Sequence, residues 1–245
     1  MSSLELFAVE GLPEVRSGDD LGELISAKAR LEPADVLVVA QKVVSKSEGR
    51  VRELDSVDAG DEARRIAKQL IALPDPRLVQ VILDESVRVL RSERVLITET
   101  RHGFVCANSG VDQSNTGGPG IVTLLPDDPD ASAQRIRGRI HERAGVDVGV
   151  IVSDTFGRPW RLGIVNVALG VAGLPALIDL RGTPDDAGRD MHATVLAIAD
   201  DLASAAGLVM RKTARAPVVV IRGLALTGDG HGRDLVRPAA EDLFR

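Results

Sequence analysis

The segment Ser153-Asp154-Thr155-Phe156-Gly157-Arg158-Pro159-Trp160-Arg161 places a carboxylate, two hydroxyls and two guanidinium groups within one short stretch. It follows the apolar run Val148–Val152, which reads as a buried strand, so Asp154 and Thr155 are expected at a strand end. Oxygen donors of this kind suit Mg²⁺ or Mn²⁺, and paired arginines suit phosphate or carboxylate groups. Trp160, the only tryptophan, is expected to pack the loop.

Two further clusters carry similar chemistry. Gln41-Lys42-Val43-Val44-Ser45-Lys46 follows the apolar run Val36–Ala40, and its lysines and hydroxyl could contact phosphates or form an exposed polar turn. The stretch 108–120 is rich in Gly, Ser and Asn and reads as a long loop. Within it, Asp112, Ser114, Asn115 and Thr116 suit a hard cation or an anion held by backbone N–H groups, and a solvated irregular loop is the alternative. The Gly-rich stretch 227–234 could cover a site or stay disordered. Walker-type and dinucleotide glycine motifs are missing, and the four histidines lack zinc spacing with Cys106. Cys106 lies in an apolar stretch and is expected to be a buried packing residue.

The elements that must position these residues read as mixed α/β. Strands are expected at Leu4–Val9, Val36–Ala40, Val148–Val152, Ala176–Leu180 and Val218–Ile221. A helix should begin at Ser17 or Asp19 and run to about Leu31, another should span Gly60–Ala72, and Asp75-Pro76 should open a third that carries Leu78, Ile82 and Val89 on one face. Val95–Thr98 and Phe104–Ala107 should flank a turn at Arg101-His102-Gly103. Helices are expected at Asp130–Ala144 and Arg189–Leu208, while Gly163–Gly173 fits strand or helix. The Arg135, Arg137 and Arg139 run is expected on a solvated helix face.

Composition narrows the partners. With 245 residues, 44% of them hydrophobic, the chain can bury a large core, and no composition shift marks a boundary, so one domain over 1–245 is expected. A net charge of −6 argues against duplex binding, and four Phe, one Trp and no Tyr argue against single-strand stacking, so no nucleic-acid partner is expected. A lone cysteine, no leader-like N-terminus and no span-length apolar run point to a cytoplasmic protein without a membrane partner.

The ordered set Gly11-Leu12-Pro13-Glu14, Ala40-Gln41-Lys42-Val43-Val44-Ser45-Lys46-Ser47-Glu48-Gly49-Arg50, Gly110-Val111-Asp112-Gln113-Ser114-Asn115 and Ser153–Arg161 resembles the coenzyme F420-0:γ-glutamyl ligases, from Leu4 to about Pro238. The same module forms the N-terminal half of a longer actinobacterial F420 biosynthesis protein. This chain stops where that protein's nitroreductase-like domain would begin, so no flavin site is expected. The resemblance implies that family's α/β fold, commonly an intertwined homodimer, and a GTP-dependent joining of L-glutamate to F420-0 with Mg²⁺ or Mn²⁺ (two ions) and K⁺. It further implies nucleotide contacts from Leu12, Pro13, Glu14, Val15, Gln41, Lys46 and Asn115, one metal on Asp112 and Asp154, and a second on Thr155. Lys46, Asp154, Arg158 and Arg161 are the expected catalytic set, with the arginines on the acceptor or glutamate. Many relatives carry Glu-Gly-Gln after the arginine that matches Arg161, where this chain reads Leu162-Gly163-Ile164. They often have Met-Gly-Lys where this chain has Met210-Arg211-Lys212, and in some the region just after that Met supplies nucleotide contacts and a second-metal Gln that has no match carried onto this sequence. A related amide ligase for another anionic metabolite, and a nucleotide-binding module without turnover, are the alternatives.

Overall fold

The computed structural model describes residues 3–70, 72, 74–114, 116–210 and 215–242. The elements run β1 (Glu5–Ala8), α1 (Leu21–Ser26), β2 (Val36–Ala40), α2 (Gln41–Ser47), β3 (Val51–Glu53), α3 (Asp61–Ala67), α4 (Pro76–Asp84) and β4 (Ser86–Arg91). They continue with β5 (Ile97–Thr100), β6 (Val105–Ala107), β7 (Ile121–Thr123), α5 (Pro129–Ala144), β8 (Gly149–Arg158) and β9 (Arg161–Ala172). Last come β10 (Ile178–Asp179), β11 (Val195–Leu196), α6 (Ile198–Gly207) and β12 (Val218–Arg222). Short 3₁₀ turns join several of them.

The main sheet has the order β1-β12-β2-β8-β9, with β2 and β8 parallel and the other pairs antiparallel. Its central strands are apolar without alternation because both faces are covered. On one face Leu37, Val39, Val150 and Val152 meet Ile25 of α1 and Ile136 and Ile140 of α5. On the other, Val36, Val38 and Ile151 meet Ala199, Leu202, Ala203 and Ala206 of α6. Separate small sheets are formed by β4-β5-β6, β3-β7 and β10-β11. Another apolar cluster joins α3 and α4 to Leu96, Val111, Val122 and Leu124. The chain is thus mixed α/β with several sheets.

The apolar runs are where expected, and several boundaries move. Asp20 caps α1, accepting from the Glu23 N–H, so neither Ser17 nor Asp19 is the cap and the helix stops at Ser26. The stretch after Ala40 is a helix, not a turn. Val89 lies in β4, beyond the end of α4. Gly163–Gly173 is largely the strand β9. The expected long helix from Arg189 begins only at Ile198, because Val195 and Leu196 pair with Asp179 and Ile178. The 227–234 stretch is ordered against β9 and the turn after it. A Cβ on Gly232 would lie 2.0 Å from the Leu169 carbonyl oxygen, and one on Gly230 2.2 Å from the Ala176 nitrogen, so both approaches require glycine.

Candidate functional site

Parallel pairing of β2 with β8 sets Ala40 beside Ser153. The next residues on the two strands are Gln41, which opens α2, and Asp154. Clefts at the C-terminal ends of parallel strands are where α/β proteins commonly hold ligands. Here β8 does not end at Ser153-Asp154-Thr155 as expected. It continues to Arg158 because β9 pairs with it along that whole length, so Asp154 and Thr155 are ladder residues opposite Val167 and Asn166. Their side chains leave opposite faces of the sheet.

Helix α2 gathers the other predicted groups. Lys42 Nζ donates to Asp112 Oδ2 (2.8 Å), to Ser114 Oγ (2.8 Å) and to the Ser114 carbonyl (2.5 Å). The Asp112 backbone is fixed by two reciprocal hydrogen bonds with Thr123, and its Oδ1 accepts from the Ser114 N–H at 2.6 Å. Burial pushes the Asp112 carboxyl upward, but the Lys42 ammonium and the Ser114 N–H outweigh it and hold the group below its ordinary value. One turn further, Lys46 Nζ reaches Glu14 Oε1 at 2.5 Å. This contact joins α2 to the loop Leu12–Val15, in which Val15 is buried and Leu12 packs on the core, while Pro13 and Glu14 face solvent.

Gln41 is only 2% exposed, with its amide N–H groups donated to Ser45 Oγ and the Leu124 carbonyl at 2.8 Å each. A ligand contact from Gln41 would fall to its side-chain or backbone oxygen or its backbone N–H. Cys106 is buried. Burial first, and then the Asp154 carboxylate, pushes its thiol up to about 12, so it is an unreactive packing residue that also marks Asp154 as a near neighbour. Asn115, Arg211 and Lys212 lie outside the described residues.

The arginines are set apart from this cluster. Arg158 and Arg161 face each other at the tip of the β8–β9 hairpin, where Arg158 Nη2 donates to the Leu162 carbonyl at 2.8 Å. Arg158 lies four residue steps along the strand from Asp154, about 13 Å at ~3.3 Å per residue. Trp160 does not pack this turn. It takes φ 57° at the tip and is 81% exposed, with Leu162 98% and Ile164 53% exposed along the same arm.

The oxygens around Lys42 suit a divalent cation. Three oxygens from Asp112 and Ser114 already enclose a positive group, the Lys42 ammonium, which stands in for a hard cation. Among the described residues no three His, Cys, Asp or Glu side chains converge as a metal site, so a bound ion would draw on few carboxylates and on neutral oxygens such as those of Ser114. Oxygen-only sets with few carboxylates fit Mg²⁺ or Mn²⁺, which retain water and bind phosphate oxygens. Sequence reasoning missed that Lys42 is the lysine that meets Asp112 and Ser114, while Lys46 meets Glu14.

Residues 11–223 match the family described as F420-0:Gamma-glutamyl ligase. The chain is 45% identical over 255 residues to the Coenzyme F420:L-glutamate ligase of Methanopyrus kandleri, with 100% of both chains covered. It is 45% identical over 247 residues to the protein of that name from Methanocaldococcus jannaschii (99% of this chain, 97% of the relative). With the Archaeoglobus fulgidus protein, also so named, it shares 43% over 243 residues (99% and 96%). By a match spanning nearly the whole chain and by these full-length relatives, the chain belongs to the F420-0:γ-glutamyl ligase family.

Proposed function

We propose that this protein is a ligase that joins L-glutamate to F420-0 at the expense of GTP, through an acyl phosphate. The observation that carries this reading is the pair of contacts made by α2, which puts Lys42 on Asp112 and Lys46 on Glu14. One short helix thereby links the loop that matches the family's nucleotide segment to a carboxylate suited to a cation. The full-length relatives support the same acceptor and amino acid.

In this reading a carboxylate oxygen of F420-0 attacks the γ-phosphorus, the bond to the β–γ bridging oxygen breaks, and GDP leaves. The glutamate amine then attacks the acyl carbon, an amide forms, phosphate leaves, and the amine proton passes to solvent. A bound Mg²⁺ or Mn²⁺ supplies charge compensation on the phosphate oxygens. Asp112 and Asp154 would hold one ion, Thr155 would serve a second, and K⁺ would assist. Among the described residues Lys46 is paired with a mostly exposed carboxylate, a weak pairing that a triphosphate can displace. The nucleotide would rest on Leu12–Val15, Gln41 and Asn115.

Arg158 and Arg161 sit too far along the arm to serve Asp154 of the same chain by direct contact. The exposed apolar arm supports a homodimer in which they reach a partner's site. Among the described residues no helix is long and apolar enough to cross a membrane. Phosphate release tests the reading: it should require F420-0, glutamate, GTP and a divalent ion together, and Asp154→Asn should abolish it. Full release by Asp154→Asn would sink the metal assignment.

A further inference from the structure

Thr155 and Asn166 stand directly opposite each other in the β8–β9 ladder. Opposed residues carry their side chains on one face with Cβ atoms about 5 Å apart. Two side-chain oxygens across that gap can close on a cation with bonds of about 2.1 Å. Neither the Thr155 hydroxyl nor the Asn166 Oδ1 has a hydrogen-bond partner among the described residues. The Asn166 amide makes one weak contact, from Nδ2 to Met210 Sδ at 3.8 Å.

The placement of Asn166 is well determined. Its carbonyl accepts from Ser204 Oγ at 2.8 Å, and the next ladder position but one, Ala168, donates its N–H to Asp200 Oδ1 at 2.8 Å. Helix α6 is thus tied to the edge of β9 on both sides of residue 167. Gly207, the last residue of α6, leaves room for the amide. A Cβ there would lie 3.3 Å from Asn166 Cγ and 3.4 Å from Oδ1. A side chain held by its surroundings, on the same face of the ladder as a hydroxyl, is how a ligand is preorganised.

We infer that Asn166 supplies its side-chain oxygen, beside Thr155, to the second divalent cation. This rests on the two-cation ligase reading proposed above. It also gives that ion a side-chain oxygen in a chain onto which the relatives' second-metal glutamine is not carried. The amide is neutral, so it contributes a dipole and geometry while the nucleotide contributes the charge.

The test is a count of bound Mn²⁺ by electron paramagnetic resonance, on the full chain with a non-hydrolysable GTP analogue. The wild type should hold two Mn²⁺, Asn166→Leu one, and Asn166→Asp two, with the weaker ion held about tenfold tighter because a charge is added. Two ions retained by Asn166→Leu, even with a lowered melting temperature, would make Asn166 a packing residue and overturn the inference alone. Fewer than two in the wild type would overturn the two-cation reading beneath it. Should Asn166→Leu fail to fold, Asn166→Asp decides, and unchanged affinity there overturns the inference.

Discussion

Lys42 Nζ lies 2.8 Å from Asp112 Oδ2, a contact made across 70 residues of sequence. The ammonium fills a cage of three oxygens that is otherwise suited to a metal ion. Charge on the loop is thereby compensated before any nucleotide arrives.

Removing that ammonium should free the cage. Lys42→Met is expected to tighten Mn²⁺ binding to the nucleotide-free protein several-fold, since the ion no longer displaces a tethered cation. The same variant should weaken GTP, because a positive group near the phosphates is gone. Calorimetric titration with Mn²⁺ and then with GTP measures both, and unchanged Mn²⁺ affinity would show that lysine and metal do not share the cage.

How much of this was legible in the sequence differs by feature. Strands β2 and β12 could be read because continuous apolar runs bounded by polar residues have few other readings. The Asp75-Pro76 helix start could be read because its capping is local, the Asp75 side chain accepting from the Arg77 N–H. The Lys42–Asp112 contact could not, since nothing local signals a pairing so distant in the chain. The extension of β8 past Ser153 depends on β9, whose small and β-branched residues favour neither strand nor helix alone. The ordered motifs marked which residues matter, while the ladder register supplied which of them are neighbours.

The β8–β9 arm gives a prediction about assembly. Leu162 is almost fully exposed in the monomer, next to Ile164 and Trp160. Burying such a patch against a second copy is favourable, and a charge at its centre is costly. Leu162→Asp should shift the protein from dimer to monomer in sedimentation equilibrium at micromolar concentration. A wild type that is already monomeric there would remove the arm from the account of the site.

Asp130 gives a prediction about stability. Its Oδ1 accepts from the Val171 N–H at the edge of β9 (2.8 Å) and from the Gly232 N–H (2.6 Å), pinning the C-terminal loop to the sheet. Asp130→Ala leaves both donors without that acceptor and should cost about 2 kcal/mol. Asp130→Asn keeps one acceptor oxygen and should cost less. Urea unfolding midpoints measure the order, and equal losses would mean the loop is held by packing alone.

His102 gives a pH dependence. Its Nε2 lies 3.0 Å from both the Pro126 and Asp127 carbonyls, so that nitrogen carries the proton, and the buried Nδ1 has no partner among the described residues. Burial holds the imidazole below its ordinary value of 6.5. The unfolded chain therefore takes up the proton first on acidification. The contribution is fully present above about pH 6.5, and it is lost progressively as pH falls below that toward the folded value. The stability difference between pH 7 and pH 5 should be smaller in His102→Gln than in the wild type. An equal difference would show that His102 does not titrate on unfolding.

The most direct test of the ligase account is the mass of F420-0 after incubation with the protein, L-glutamate, GTP and Mn²⁺. The account predicts a product heavier by one or more glutamyl residues, with one phosphate released per residue added, and none with Asp154→Asn. An acceptor of unchanged mass, from protein shown to be folded and to bind GTP, would contradict it.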